Sequence, residues 1–195
     1  MQSPTAHELK LFSPLSDAPP HDALHDIPKL IMREETDTPP GSFALVPVCF
    51  AMEQSWHQVY RNFEEDPYLG GKTKCIKGTH TGDLVGDSAV VIFEYPPDGI
   101  INTIIKLMSS PGYTAKNVLN VQPVDQPGSS VNLTISYQDC HSCKVIRHSY
   151  INEGKGCSLW VTGAGLGQPH TCCDYIFELL CGLHPAYKIY DHSCQ

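Results

Sequence analysis

The sequence predicts an all-β domain, an eight-stranded antiparallel barrel with one C-terminal α-helix packed on it. Two observations carry that expectation. Short extended runs recur from residue 56 to residue 162 with turn residues between them, the spacing of a sandwich or an up-and-down barrel. One good helical pattern follows near the end of the chain, in a stretch (143–181) holding five of the nine cysteines, which reads as the stapled closing end of a small secreted domain.

The runs can be taken in order. Residues 56–63 are closed by Asp66-Pro67 and Gly70-Gly71; 75–81 follow, then 89–95, closed by Pro96-Pro97-Asp98-Gly99. Residues 100–108 end at Pro111-Gly112, and 114–121 end at Pro123 and Pro127-Gly128. Residues 131–137, 144–150 and 157–162 complete eight. A barrel of eight strands encloses space for one small ligand. The runs 89–93 and 100–105 are apolar on both faces, which predicts that another element covers part of the barrel's outside. The expected cover is the helix over about 171–181, which Pro169 and Thr171 can start and Gly182 can end. Its apolar positions Cys172, Ile176, Leu179 and Leu180 follow a helical period, and Asp174 and Glu178 form the wet stripe.

Residues 1–48 carry eight of the sixteen prolines and no sustained apolar period, so they are expected to form a disordered N-terminal segment, with at most a helical turn over 29–32. The ligand-binding domain is then 49–195, entered by the uncharged run 43–52 as a buried segment. A net charge of −8 gives nucleic acid nothing to hold. No apolar run approaches the roughly 18 residues that span a bilayer. The expectation is a monomer that engages neither nucleic acid nor membrane.

Nine cysteines point to an oxidising, secreted location, although the start of the chain has no charged-then-apolar secretory signal, which predicts that the signal has been removed or that the native start differs. The odd count leaves at least one thiol free or paired with another chain. Cys140-His141-Ser142-Cys143 lacks a second pair at zinc-ribbon spacing, so structural disulfides are favoured over a metal site. Adjacent Cys172 and Cys173 point about 100° apart on a helix and would take different partners. Gly163-Ala164-Gly165-Leu166-Gly167 lacks the lysine of a phosphate loop and reads as a turn. No nucleophile–base signature appears among the ten histidines, so neither an enzyme nor a cofactor is expected. Asn132-Leu133-Thr134 is a glycosylation sequon.

Three pieces together resemble the tick salivary lipocalins, the histamine-binding protein family. They are Tyr60-Arg61-Asn62-Phe63-Glu64-Glu65-Asp66-Pro67 through Cys75; Cys143-Lys144-Val145 with Cys157-Ser158-Leu159-Trp160-Val161; and Cys172-Cys173 to Cys181 with the terminal Tyr190-Asp191-His192-Ser193-Cys194. The match covers roughly residues 50–195. It implies a lipocalin-like barrel, secreted in saliva to sequester host inflammatory mediators. It also implies the pairs Cys75–Cys194, Cys143 with Cys172 or Cys173, and Cys157–Cys181, with Cys49 and Cys140 as candidates for a fourth bridge.

The family's amine binders place carboxylates in the barrel, where a buried ammonium needs a paired anion and aromatic faces add cation–π attraction. Asp66 matches one such acid, Glu94 is a possible helper, and Phe63 and Trp160 would supply aromatic walls. Two other motif acids are replaced: Lys144 follows the cysteine and Ser158 precedes Leu159-Trp160. Lys144, and Lys106 if it faces inward, would repel an amine. The resulting expectation is a scavenger of a biogenic amine, histamine or serotonin, used to evade host defence. The alternatives are the same fold carrying a fatty-acid-derived mediator such as a leukotriene, with Lys106 or Lys144 pairing its carboxylate, or a protein that binds a host protein through its outer surface.

Overall fold

The computed structural model describes residues 55–139, 141–182 and 187–194. The expectations for 1–48, for the run 43–52 and for a Cys49–Cys140 bridge lie outside these residues. Eight strands run up and down: β1 (Ser55–Arg61), β2 (Lys77–Val85), β3 (Ser88–Tyr95), β4 (Gly99–Met108), β5 (Val118–Pro123), β6 (Val131–Gln138), β7 (Cys143–His148) and β8 (Gly156–Thr162). Each pairs antiparallel with the next, β8 pairs with β1, and β1 pairs with β2, which closes the barrel. A two-residue strand, β9 (Tyr187–Lys188), takes the edge of β1 at Tyr60 and Arg61, below the point where β2 leaves it.

Alternation decides which side chains enter the lumen. On β7, Lys144, Ile146 and His148 point inward while Cys143 and Val145 point outward; on β8, Ser158 and Trp160 point inward while Cys157, Leu159 and Val161 point outward. The helix α1 (Thr171–Cys181) lies over those outward positions. Phe177 and Cys173 are buried against Val145, Leu159 and Val161, and removing the Phe177 side chain from water contributes about 1.5–3 kcal/mol. Bridges Cys143–Cys173 and Cys157–Cys181 staple the helix to β7 and β8, and Cys75–Cys194 ties the terminal segment to the β1–β2 loop.

The helix departs from expectation in three ways. Its buried seam is Cys173 and Phe177, whereas Cys172 is exposed and carries the free thiol among the described residues, so Cys143 takes Cys173. Asp174 is not simply wet: it accepts the Tyr60 hydroxyl at 2.6 Å. Gly182, at a φ of 81°, ends the helix as predicted. The helix also covers β6, β7 and β8 rather than β3 and β4. The apolar outer faces of those two strands stay open, with Val90, Ile100 and Ile104 exposed.

Candidate functional site

The two ends of the barrel differ. One end is filled. The β1–β2 loop folds across it, bridged by Asp66 and Gly71, with Phe63 and Leu69 buried beneath. Arg61, fully buried, holds the loop by donating to the carbonyls of Phe63, Glu64 and Gly71. Asp66 holds it from the other side: its Oδ1 accepts the amides of Tyr68 and Leu69, each at 3.0 Å, and the Tyr150 hydroxyl donates to it at 3.1 Å.

From Asp66 a chain of hydrogen bonds runs inward. Tyr150 Oη lies 3.0 Å from His148 Nδ1, His148 Nε2 lies 2.7 Å from Ser158 Oγ, and Trp160 Nε1 donates to Ser158 Oγ at 2.8 Å. Indole can only donate, so one arrangement satisfies every member. Trp160 donates to Ser158, Ser158 to His148 Nε2, His148 Nδ1–H to Tyr150, and Tyr150 to the Asp66 carboxylate. The electrostatics agree. Burial, with Arg61 nearby, pushes the His148 pKa down to about 3, so the ring is neutral and its 3.7 Å approach to Asp66 is not an ion pair. Burial and the Asp66 charge push the Tyr150 hydroxyl far up, keeping it a donor. Burial raises the Asp66 pKa, against the pull of the Tyr68 and Leu69 amides, Tyr150 and Arg61.

The other end is open. A cavity enters the lumen from it, lined by residues of β1 to β8. The wall is apolar over most of its extent: Val91 and Phe93 from β3, Ile105 from β4, Leu119 from β5, Leu133 and Ile135 from β6, Ile146 from β7, and the rings of Trp56 and Trp160. Gly78 allows the Phe93 ring to press against β2, since a Cβ there would stand 3.0 Å from it. Three polar side chains join this wall: His80, Gln138 and Lys144. Lys144 Nζ sits 4.0 Å above the Trp56 ring, a cation–π distance, and desolvation pushes its pKa down to about 7. No aspartate or glutamate lines this cavity among the described residues.

The predicted site residues are therefore divided. Trp160 lines the cavity and is the one member that also reaches the hydrogen-bond chain. Asp66, Phe63 and Ser158 lie at the filled end, Phe63 edge-on to His148 with ring centroids 5.0 Å apart. Glu94 is on the outer surface, paired with Lys77 at 3.0 Å. Lys106 is exposed on the outer face of β4, so the inward orientation that would have brought it to a ligand is not adopted. Asn132 is exposed on β6, its Oδ1 accepting from Asn120. Sequence reasoning missed Trp56, His80 and Gln138; strand parity with neighbouring buried positions marks Trp56 and His80, whereas Gln138 enters the lumen because the β6 register shifts between Ile135 and Tyr137. Among the described residues no group of three or more potential ligands could hold a metal ion.

A closed eight-stranded up-and-down barrel with an open apolar lumen and a helix on its flank is a lipocalin-class ligand-binding protein. The sequence profile of the tick histamine-binding protein family matches residues 46–195. The chain belongs to that family. Among solved structures it is similar to AM182 in its serotonin complex (16% identity, TM-score 0.57, covering 81% of this chain and 95% of that one). It is also similar to Japanin from Rhipicephalus appendiculatus bound to cholesterol (16% identity, TM-score 0.54, 74% and 97%). Apocrustacyanin C2 shares the fold at 15% identity and a TM-score of 0.51, over 86% of this chain and 87% of that one. No curated protein sequence matches the chain.

Proposed function

We propose that the barrel sequesters a small apolar ligand with an acidic end, of the fatty-acid-derived kind, as an extracellular scavenger of host mediators. The observation that carries this reading is the cavity wall, which combines apolar side chains with Lys144 and has no carboxylate. A buried ammonium ligand needs a paired, hydrogen-bonded anion. Here it would meet a lysine instead, and Asp66, the acid on which amine binding would rest, is engaged at the far end. Family membership supports small-ligand binding as such, and the serotonin and cholesterol of two structural neighbours span a polar amine and an apolar sterol. The unfilled lumen favours cargo inside the barrel over a purely surface-binding role. Three disulfides among the described residues suit an oxidising, extracellular setting, where the exposed Asn132 would be open to glycosylation.

Titration calorimetry with arachidonate, serotonin and histamine tests the reading. Micromolar or tighter binding of arachidonate, with weaker or no binding of either amine, is the expected order. The reverse order would return the protein to amine scavenging.

A further inference from the structure

The acidic-lipid reading leaves open where the acidic group sits and which way the ligand lies. We infer that Gln138 and Lys144 form a carboxylate-binding subsite at the barrel mouth, with the ligand's chain running inward past Trp160 and Phe93. The inference rests on the reading above and adds to it a position, a donor set and a direction.

Gln138 is the last residue of β6 and Lys144 the second of β7, and they are directly opposed in the antiparallel ladder. Opposed residues on one face have Cβ atoms about 5 Å apart, close enough for two side chains to reach one bound group. Both line the cavity. Gln138 Nε2 is buried with no hydrogen-bond partner among the described residues, a donor left waiting inside the wall. Lys144 makes no ion pair with any described residue; the Trp56 ring beneath its ammonium holds it without neutralising it. A carboxylate has two oxygens and about four lone-pair sites, so it can accept from an ammonium and an amide together.

The nearest acid in the chain does not compete. Asp139 lies in the turn joining the two strands, but its Oδ1 accepts the amides of His141, Ser142 and Cys143, and its Oδ2 accepts the Ser142 hydroxyl. Deeper in, the wall turns apolar at Ile135 and Ile146 and continues to Phe93 and Trp160, so a charged head is best placed at the mouth.

Both tryptophans of the chain, Trp56 and Trp160, line the cavity, so intrinsic fluorescence reports its occupation directly. The experiment compares arachidonic acid with the alcohol of the same chain, on the wild type, Lys144→Met, Lys144→Arg and Gln138→Leu. At pH 7 the wild type is expected to prefer the acid by about tenfold or more, the scale of a desolvated charge pair. Lys144→Met should erase that preference by weakening the acid alone, Lys144→Arg should retain it, and Gln138→Leu should reduce it several-fold. The preference is a ratio within each variant, so partial misfolding does not distort it. A preference that survives Lys144→Met would overturn the subsite and leave the acidic-lipid reading standing, whereas equal binding of acid and alcohol by the wild type would overturn the subsite together with the acidic end of that reading. Failure of both lipids to bind would overturn both.

Discussion

Asp66 is the residue on which the amine and structural readings diverge most sharply, and two substitutions separate them. Asparagine keeps the shape and one carbonyl oxygen. Since the Tyr68 amide, the Leu69 amide and the shorter Tyr150 contact all converge on Oδ1, Asp66→Asn can retain all three. It loses the charge that faces Arg61 and one 3.2 Å contact from Tyr150, a cost of about 1 kcal/mol. Alanine removes every acceptor. The buried Leu69 amide, the half-buried Tyr68 amide and the Tyr150 hydroxyl lose their partner, at about 1–3 kcal/mol each and least for Tyr68, and the hydrogen-bond chain to Trp160 loses its terminal acceptor. Orphaned groups in one network are not additive, so the expected total is about 3–5 kcal/mol. In a domain of this size that is a fall in Tm on the order of 10 °C, against a few degrees for asparagine. Thermal unfolding by circular dichroism, run beside serotonin and histamine titrations, reads both consequences. A variant Asp66→Ala that melts like the wild type yet loses amine binding would refute the structural assignment.

Lys144 and the helix cysteines carry the further expected outcomes. Lys144 titrates near 7 in the free barrel because burial disfavours its charge, and a bound carboxylate would raise it, so acid binding takes up a proton. Affinity for arachidonate should be full below pH 7 and fall by up to tenfold per unit above it, until the raised pKa of the complex is passed. His80 faces the same cavity, so the control is Lys144→Met, in which the slope above pH 7 should vanish. The linkage to stability has the opposite sign: the unfolded lysine keeps its proton up to its ordinary value of 10.5, so the ligand-free barrel should gain stability as pH rises from about 7. Among the cysteines, Cys173→Ser opens a bridge spanning 30 residues and should cost about 3–4 kcal/mol by chain entropy, whereas Cys172→Ser should cost about 0.5 kcal/mol or less. Alkylation of the native protein followed by peptide mapping should find Cys172 modified and Cys173 protected.

What the sequence made legible and what it hid both come down to strand parity. The strands were readable because turn residues punctuate them, and α1 was readable from its period and its closing glycine. Which side chains enter the lumen needed one more constraint, and on β7 and β8 the cysteines supply it. Cys143 and Cys157 bond to the helix, so they must face outward; their neighbours Lys144 and Ser158, and Trp160 two further on, must then face inward. The same bridges determine where the helix lies. They tether it to β7 and β8, so the apolar outer faces of β3 and β4 could not have been its seat, despite their composition. On β4 no cysteine fixes parity, and with Ile100, Ile101, Ile104 and Ile105 on both faces nothing in the sequence decides whether Lys106 points in or out. Asp66 was illegible for another reason. Its main side-chain partner, Tyr150, lies 84 positions away, and only the folded loop brings the Tyr68 and Leu69 amides onto one oxygen. A family motif can mark such an acid as present, but the competition for its lone pairs decides whether any remain for a ligand. Here the backbone and Tyr150 take those on Oδ1, and the open end is left with a lysine.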